Sequence, residues 1–157
     1  GFDEFDDNPH KLKNIVEDMV VYTGTHDNDT TKGWFNSLDD YVKKHVIHAL
    51  KLDVDDLEDF KRLADIIDPM AAEPDLADYV VEKMIAEAML SDAVICIIPM
   101  QDCLHLGSEA RMNVPGTITG NWQWQFQWDQ VVAQYDLSSI EKVRSLVEKS
   151  NRLVTVN

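Results

Sequence analysis

Two short apolar runs frame the chain, and between them the hydrophobic positions recur at a helical spacing. Val20-Val21-Tyr22-Thr23 is β-branched and aromatic, stops at Gly24, and empties into His26, Asp27, Asn28 and Asp29. Such residues favour an extended, at least half-buried strand. Val94-Ile95-Cys96-Ile97-Ile98, bounded by Asp92 and Pro99, is too short for an ordinary helix. Its unbroken apolar character predicts a strand buried on both faces, as in a parallel sheet. Each run delivers polar groups just past its end, Gln101 and Asp102 following the second.

Helices fill the interval. Asp29-Thr30-Thr31 supplies short side chains able to cap a helix ahead of Trp34 and Phe35. Over residues 38–50, Tyr41, Val42, His45, Val46, Ala49 and Leu50 recur every three or four positions, with Asp39 and Asp40 at the favourable N-terminal end. Leu57, Phe60, Leu63, Ala64 and Ile67 predict a second amphipathic helix over residues 53–68, ended by Asp68-Pro69. Glu73-Pro74 opens a third, with Leu76, Tyr79, Val80, Met84, Ala88 and Met89 on one face. Residues 104–128 show no period and are predicted to be a long loop; residues 138–153 are predicted to form a closing helix with a capping box at Ser138 and Glu141. Strands separated by helices, each strand ending in polar groups, follow the repeating logic of a β/α barrel, so the fold class is α/β.

Composition narrows the function. A chain of 157 residues, 45% of them hydrophobic, is expected to form a single unit over residues 1–157. The 29 acidic and 14 basic residues give a formal net charge of −15, which repels a polyanion, so nucleic acid is set aside as a partner. No run reaches the ~18 consecutive apolar residues of a membrane span, and the N-terminus lacks a signal-peptide pattern, so the expectation is a soluble, cytoplasmic chain with no membrane partner. Residues 1–9 show no helix start and no initiator methionine, and read as the middle of a longer polypeptide. Cys96 and Cys103 form no CxxC or Cys/His array and are read as reduced packing residues. His45 and His48 sit three apart on a helix, but no carboxylate is placed to complete a site, so neither metal nor cofactor is expected.

Candidate chemistry gathers in two places. The His26-Asp27-Asn28 corner lies at a strand's C-terminal end, where α/β folds build their sites. The long loop sets Trp122 and Trp124 beside Asn121, Gln123 and Gln125. Aromatics beside amides suit a sugar, whose apolar face stacks on a ring while its hydroxyl rim needs donors and acceptors; any one tryptophan reads equally well as core.

Taken together, Val21-Tyr22-Thr23-Gly24-Thr25-His26-Asp27-Asn28-Asp29-Thr30-Thr31, Gly33-Trp34, Pro99-Met100-Gln101-Asp102, the run from Gly107 to Thr117 and Gly120-Asn121-Trp122 resemble the C-terminal segment of the amylomaltases, the 4-alpha-glucanotransferase or disproportionating-enzyme family. The resemblance implies the C-terminal part of a (β/α)8 TIM barrel, with few parallel strands and several helices. It implies a retaining transfer of α-1,4-glucan segments between maltooligosaccharides, in which one carboxylate attacks the anomeric carbon and a second carboxyl protonates the leaving oxygen. By motif, Asp27 is the carboxylate that stabilises the transition state, with His26 beside it, while Asn28, Gln101, Asn113, Pro115 and Trp122 bind substrate. The family's nucleophile and acid/base fall on earlier strands, which leaves this chain without them, missing the N-terminal half of the barrel and open to self-association. Gln125 departs from the arginine usual in the family. The competing expectation is a catalytically inactive carbohydrate-binding or interaction module.

Overall fold

The computed structural model describes residues 5–52, 75–129, 132 and 138–152. At its centre two short strands, β1 (Val20–Tyr22) and β2 (Ile95–Ile97), pair in parallel with Val20 opposite Ile95, Val21 opposite Cys96 and Tyr22 opposite Ile97. Parallel neighbours require a long crossover, and here it includes α1 (Thr31–Ser37), α2 (Asp40–Ala49) and α3 (Leu76–Leu90). After β2 come α4 (Met100–Cys103), a 3-10 turn at Ser108–Ala110, a long irregular stretch, and α5 (Ser138–Lys149). The helix expected over residues 53–68 and the Glu73-Pro74 start lie outside the described residues.

The helices begin where short polar side chains satisfy their first amide groups. Thr30 Oγ1 accepts from the Gly33 amide at 3.0 Å, Asp39 Oδ1 from Val42 at 2.9 Å, and Asp75 Oδ1 from Ala77 at 3.1 Å. Each cap is worth about 1 kcal/mol. At the other end of α3, Arg152 donates to the carbonyls of Met89 and Ser91, both at 2.8 Å, so a cation closes the negative end of the helix.

The third helix was expected to bury one face, but it is buried on two. Val80 and Ala77 pack with Phe35, Val46, Leu50 and Leu52, while Val81, Ile85 and Met89 pack with Cys96 and Ile98 of the sheet region and Val143, Leu146 and Val147 of α5. Val80 and Val81 are consecutive, so neighbouring residues feed different clusters and α3 is the spine between them. In α2 the period is right but burial is thinner than expected: Val46 and Leu50 are buried, whereas Tyr41, His45, His48 and Ala49 are exposed.

The second strand corrects a further expectation. It is not buried on both faces; its exposure alternates. Val20, Tyr22, Ile95 and Ile97 are between 44% and 54% exposed, while Val21 and Cys96 are partly covered. In a sheet, successive side chains point to opposite faces, and α3 and α5 cover the face of Cys96 and Ile98. Among the described residues, the other face carries an uncovered apolar surface.

A charge network ties three helices together behind the sheet. Lys32 Nζ of α1 lies 2.6 Å from Asp78 Oδ1 and 3.5 Å from Asp75 Oδ2, and Lys142 Nζ of α5 lies 2.7 Å from Glu82 Oε1. His105 sits between Asp78, at 3.6 Å, and Glu82, at 3.9 Å. Burial disfavours the Lys32 ammonium, but its bond and charge attraction to Asp78, aided by Asp75, outweigh this and raise its pKa. At His105 burial wins over the two carboxylates and the pKa is lowered, which keeps the imidazole neutral at neutral pH.

Candidate functional site

The polar corner begins where β1 ends. Thr25 and Asn28 close it reciprocally: the Asn28 amide donates to the Thr25 carbonyl at 3.0 Å, and Asn28 Oδ1 accepts from both the amide and the hydroxyl of Thr25 at 2.8 Å. This tight turn lifts His26, Asp27 and Asn28 to the surface. On either side of it, Thr23 Oγ1 and both the amide and hydroxyl of Thr31 donate to Asp102, a buried carboxylate on α4. Asp29 turns inward, accepting from Ser108 Oγ at 2.8 Å and lying 4.0 Å from Arg111 Nη1.

The long loop supplies the opposite wall. Arg111 Nη2 donates to the Asp27 carbonyl at 2.8 Å and its Nε to the Asn113 carbonyl at 2.8 Å, so one guanidinium joins the corner to the loop. Asn113 Nδ2 donates to Asp27 Oδ1 at 2.6 Å, and His26 Nε2 approaches the same oxygen at 3.3 Å. Asp27 Oδ1 therefore accepts from Asn113 with His26 close beside it, while Oδ2 makes no hydrogen bond among the described residues.

Trp122 completes the cluster. Its ring lies 5.0 Å from that of His26 at an interplanar angle of 38°. Its φ of 60° is left-handed, a conformation that costs a bulky residue on the order of 1–3 kcal/mol and is held by tertiary contacts where it occurs. Here the Trp122 amide donates to the Met112 carbonyl at 2.6 Å, and Asn121 Oδ1 accepts from the Val114 amide at 2.9 Å. Gly116 and Gly120, at φ 82° and 80°, supply the remaining left-handed turns. The loop tip projects, with Ile118 99% exposed.

His26 thus contacts both Asp27 and Trp122, and Asn113 joins them through Asp27. Asn28 and Gln101 join His26 around a cavity of about 200 Å³ that Arg111, Met112 and Pro99 also line. Gln101 spends its amide nitrogen on the Ala110 carbonyl at 3.3 Å. Pro115 lies on the exposed part of the loop and lines neither this cavity nor a larger groove of about 1160 Å³. That groove follows β1 through Val21, Tyr22 and Thr23 and includes neither His26 nor Asp27. The smaller cavity takes in His26, Asn28 and Gln101, while Asp27, Asn113 and Trp122 lie outside its lining. Among the described residues no three His, Cys, Asp or Glu side chains are arranged to hold a metal ion, and no helix is long and apolar enough to cross a membrane. Both cysteines are free; burial, followed by the neighbouring Asp102 charge, pushes the Cys103 thiol up to about 11, which makes it a poor nucleophile.

Arg111 and Ser108 carry no role from the sequence alone, where Asp29 figures only as a residue able to cap a helix and Asp102 only as a polar group past a strand. A lone arginine inside a loop that faces a His-Asp corner was the available signal for the first of them. Gly33 shows why the pieces fit closely: a Cβ built there meets Ser108 Oγ, the Ser108 amide nitrogen at 2.8 Å and Asp29 Oδ1 at 2.9 Å. Because one of these is backbone, the 3-10 turn has to retreat from α1. Gly33→Ala is expected to destabilise the protein by about 1–3 kcal/mol and to loosen the Ser108–Asp29 bond. Chemical denaturation beside the parent protein checks it, and an unchanged midpoint would refute the close fit.

The family model described as 4-alpha-glucanotransferase matches residues 2–131. The chain is 35% identical over 147 residues to the "4-alpha-glucanotransferase, chloroplastic/amyloplastic" of Solanum tuberosum, covering 94% of this chain and 22% of that protein. It is 38% identical over 112 residues to the 4-alpha-glucanotransferase of Synechocystis, covering 71% and 18%, and 32% identical over 155 residues to that of Thermus thermophilus, covering 98% and 27%. The chain therefore spans about a quarter or less of the length of these relatives. Among solved structures, an amylomaltase from Streptococcus agalactiae in complex with acarbose superposes with a TM-score of 0.67 at 21% identity, over 92% of this chain and 24% of that one, a likeness of fold.

Proposed function

This chain belongs to the 4-alpha-glucanotransferase family, and from that premise we propose that residues 1–157 form a single unit, the C-terminal portion of a (β/α)8 glucanotransferase barrel. The complete protein transfers α-1,4-glucan segments between maltooligosaccharides with retention of configuration. Strands earlier in the barrel bring the nucleophilic carboxylate and the acid/base carboxyl. The nucleophile bonds to the anomeric carbon as the bond to the departing glucan breaks and the acid protonates that oxygen; an acceptor hydroxyl then displaces the enzyme, returning its proton to the same group.

The residues of this chain act on the sugar between those steps. Asp27 binds hydroxyls of the distorted ring, and its charge favours the oxocarbenium-like transition state over the ground state. His26 donates to the same sugar, Trp122 stacks against it, and Asn28, Gln101 and Asn113 line its rim while Pro115 shapes the loop. The observation that carries this reading is the state of Asp27: Asn113 holds Oδ1 with His26 Nε2 at 3.3 Å, and Oδ2 is left open beside a tilted His26–Trp122 pair. Such a carboxylate is oriented in advance and keeps an oxygen for a ligand. A cytoplasmic location belongs to the same proposal, although the potato relative carries a chloroplastic name.

The test is maltotriose incubated with the full-length protein. Two maltotrioses are expected to become glucose and maltopentaose, and then longer chains. Glucose and maltose in equal amounts with nothing longer would mean hydrolysis and would overturn the reading.

A further inference from the structure

The loop of residues 24–30, which carries His26, Asp27 and Asn28, is pinned at both ends to one side chain. Thr23, just before it, donates Oγ1 to Asp102 Oδ2 at 2.5 Å; Thr31, just after it, donates its amide to Oδ1 at 2.9 Å and its hydroxyl to Oδ2 at 2.8 Å. Asp102 is 2% exposed and belongs to α4, the turn of helix that follows β2. It therefore joins the C-terminal end of β1 and the start of α1 to the neighbouring strand's end. We propose that Asp102 is a positioning residue, a buried clamp that fixes both ends of the loop and through them the placement of Asp27. This rests on the glucanotransferase reading of Asp27.

A carboxylate suits the task. It accepts only, and all three groups turned toward it can donate; charge-assisted bonds of this kind are shorter and about twice as strong as neutral ones. The loop has further holds, Ser108 on the Asp29 carboxylate, Arg111 on the Asp27 carbonyl and Asn113 on the Asp27 carboxylate, but all three come from the segment after α4, which carries its own left-handed turns. Asp102 instead ties the corner to the sheet. A displacement of about 1 Å at a reacting group costs on the order of a hundredfold in rate, so loss of the clamp is read in turnover more than in binding.

The experiment uses the full-length protein that carries this chain, with maltotriose as substrate. Asp102→Ala is expected to lower kcat by roughly ten- to a hundredfold with KM changed by less than about threefold. In an Asp27→Asn background the same substitution is expected to lower kcat by less than about threefold, because the carboxylate it would misplace is gone. Equal losses in both backgrounds would make Asp102 a support of the fold and overturn the proposal. Should Asp102→Ala fail to fold, Thr23→Val, which removes one donor without stranding a charge, is expected to show the same dependence on Asp27 at several-fold size. Hydrogen exchange separates the clamp from the enzymatic reading. Amides of residues 24–30 are expected to exchange faster in either variant, with those of Val80 and Val81 unchanged. Unaltered exchange in the loop would overturn the clamp even in an active enzyme, whereas faster loop exchange in the variants of a parent protein that itself leaves maltotriose unreacted would sink only the glucanotransferase reading.

Discussion

Asp27→Asn in the full-length protein is expected to lower turnover of maltotriose about a thousandfold, a loss of roughly 4 kcal/mol of transition-state stabilisation. The side chain is half exposed, so folding gains little from it. The replacement keeps the shape and an oxygen able to accept from Asn113, so the local bonds survive. In the proposed role what disappears is the negative charge beside the sugar, which matters as positive charge builds on the ring and matters much less in the ground state. KM is therefore expected to move little, and the thermal midpoint to stay within a degree or two of the parent. Steady-state kinetics with calorimetric unfolding on the same preparation decide it. A wild-type rate would remove Asp27 from the mechanism, and a large drop in the midpoint would make it a structural residue.

The parts of this site that were legible in the sequence are those whose signal is local. A β-branched run stopping at Gly24 marked the end of a strand, and His26, Asp27 and Asn28 followed within four residues. The caps Thr30 and Asp39 act within three residues of themselves, and the helices at α2 and α3 follow from period alone, although α3 is capped by Asp75 where Glu73-Pro74 was expected to open it. What escaped was long in sequence. Thr23 and Asp102 meet across 79 positions, Asn113 and Asp27 across 86, and nothing in either neighbourhood announces its partner. Asp102 looked like a polar group offered to a ligand because it follows a strand; the structure buries it under Thr23 and Thr31. The error at β2 has a related cause. An unbroken run of apolar residues records what each side chain is suited to meet, and it cannot say whether the partner surface is present.

That uncovered surface gives the second large effect. The purified 157-residue chain alone is expected to release no glucose from maltotriose. In the proposed mechanism Asp27 stabilises a transition state that two further carboxyl groups create, and the contacts of its own carboxylate are with Asn113 and His26. The sheet face built from Val20, Tyr22, Ile95 and Ile97 is apolar and half exposed, and β1 and β2 pair only with one another in the sheet described. Open edges and apolar faces recruit other copies, so the chain is also expected to sediment as a mixture of oligomers and to become monodisperse when produced together with the upstream part of the barrel, with activity returning in the same sample. Glucose and maltopentaose from the isolated chain would show that it holds a complete site. Binding of maltoheptaose with quenched tryptophan fluorescence in an inactive, monomeric chain would favour instead a carbohydrate-binding module, because then the Trp122 loop would serve a sugar without the chemistry that Asp27 is placed to assist.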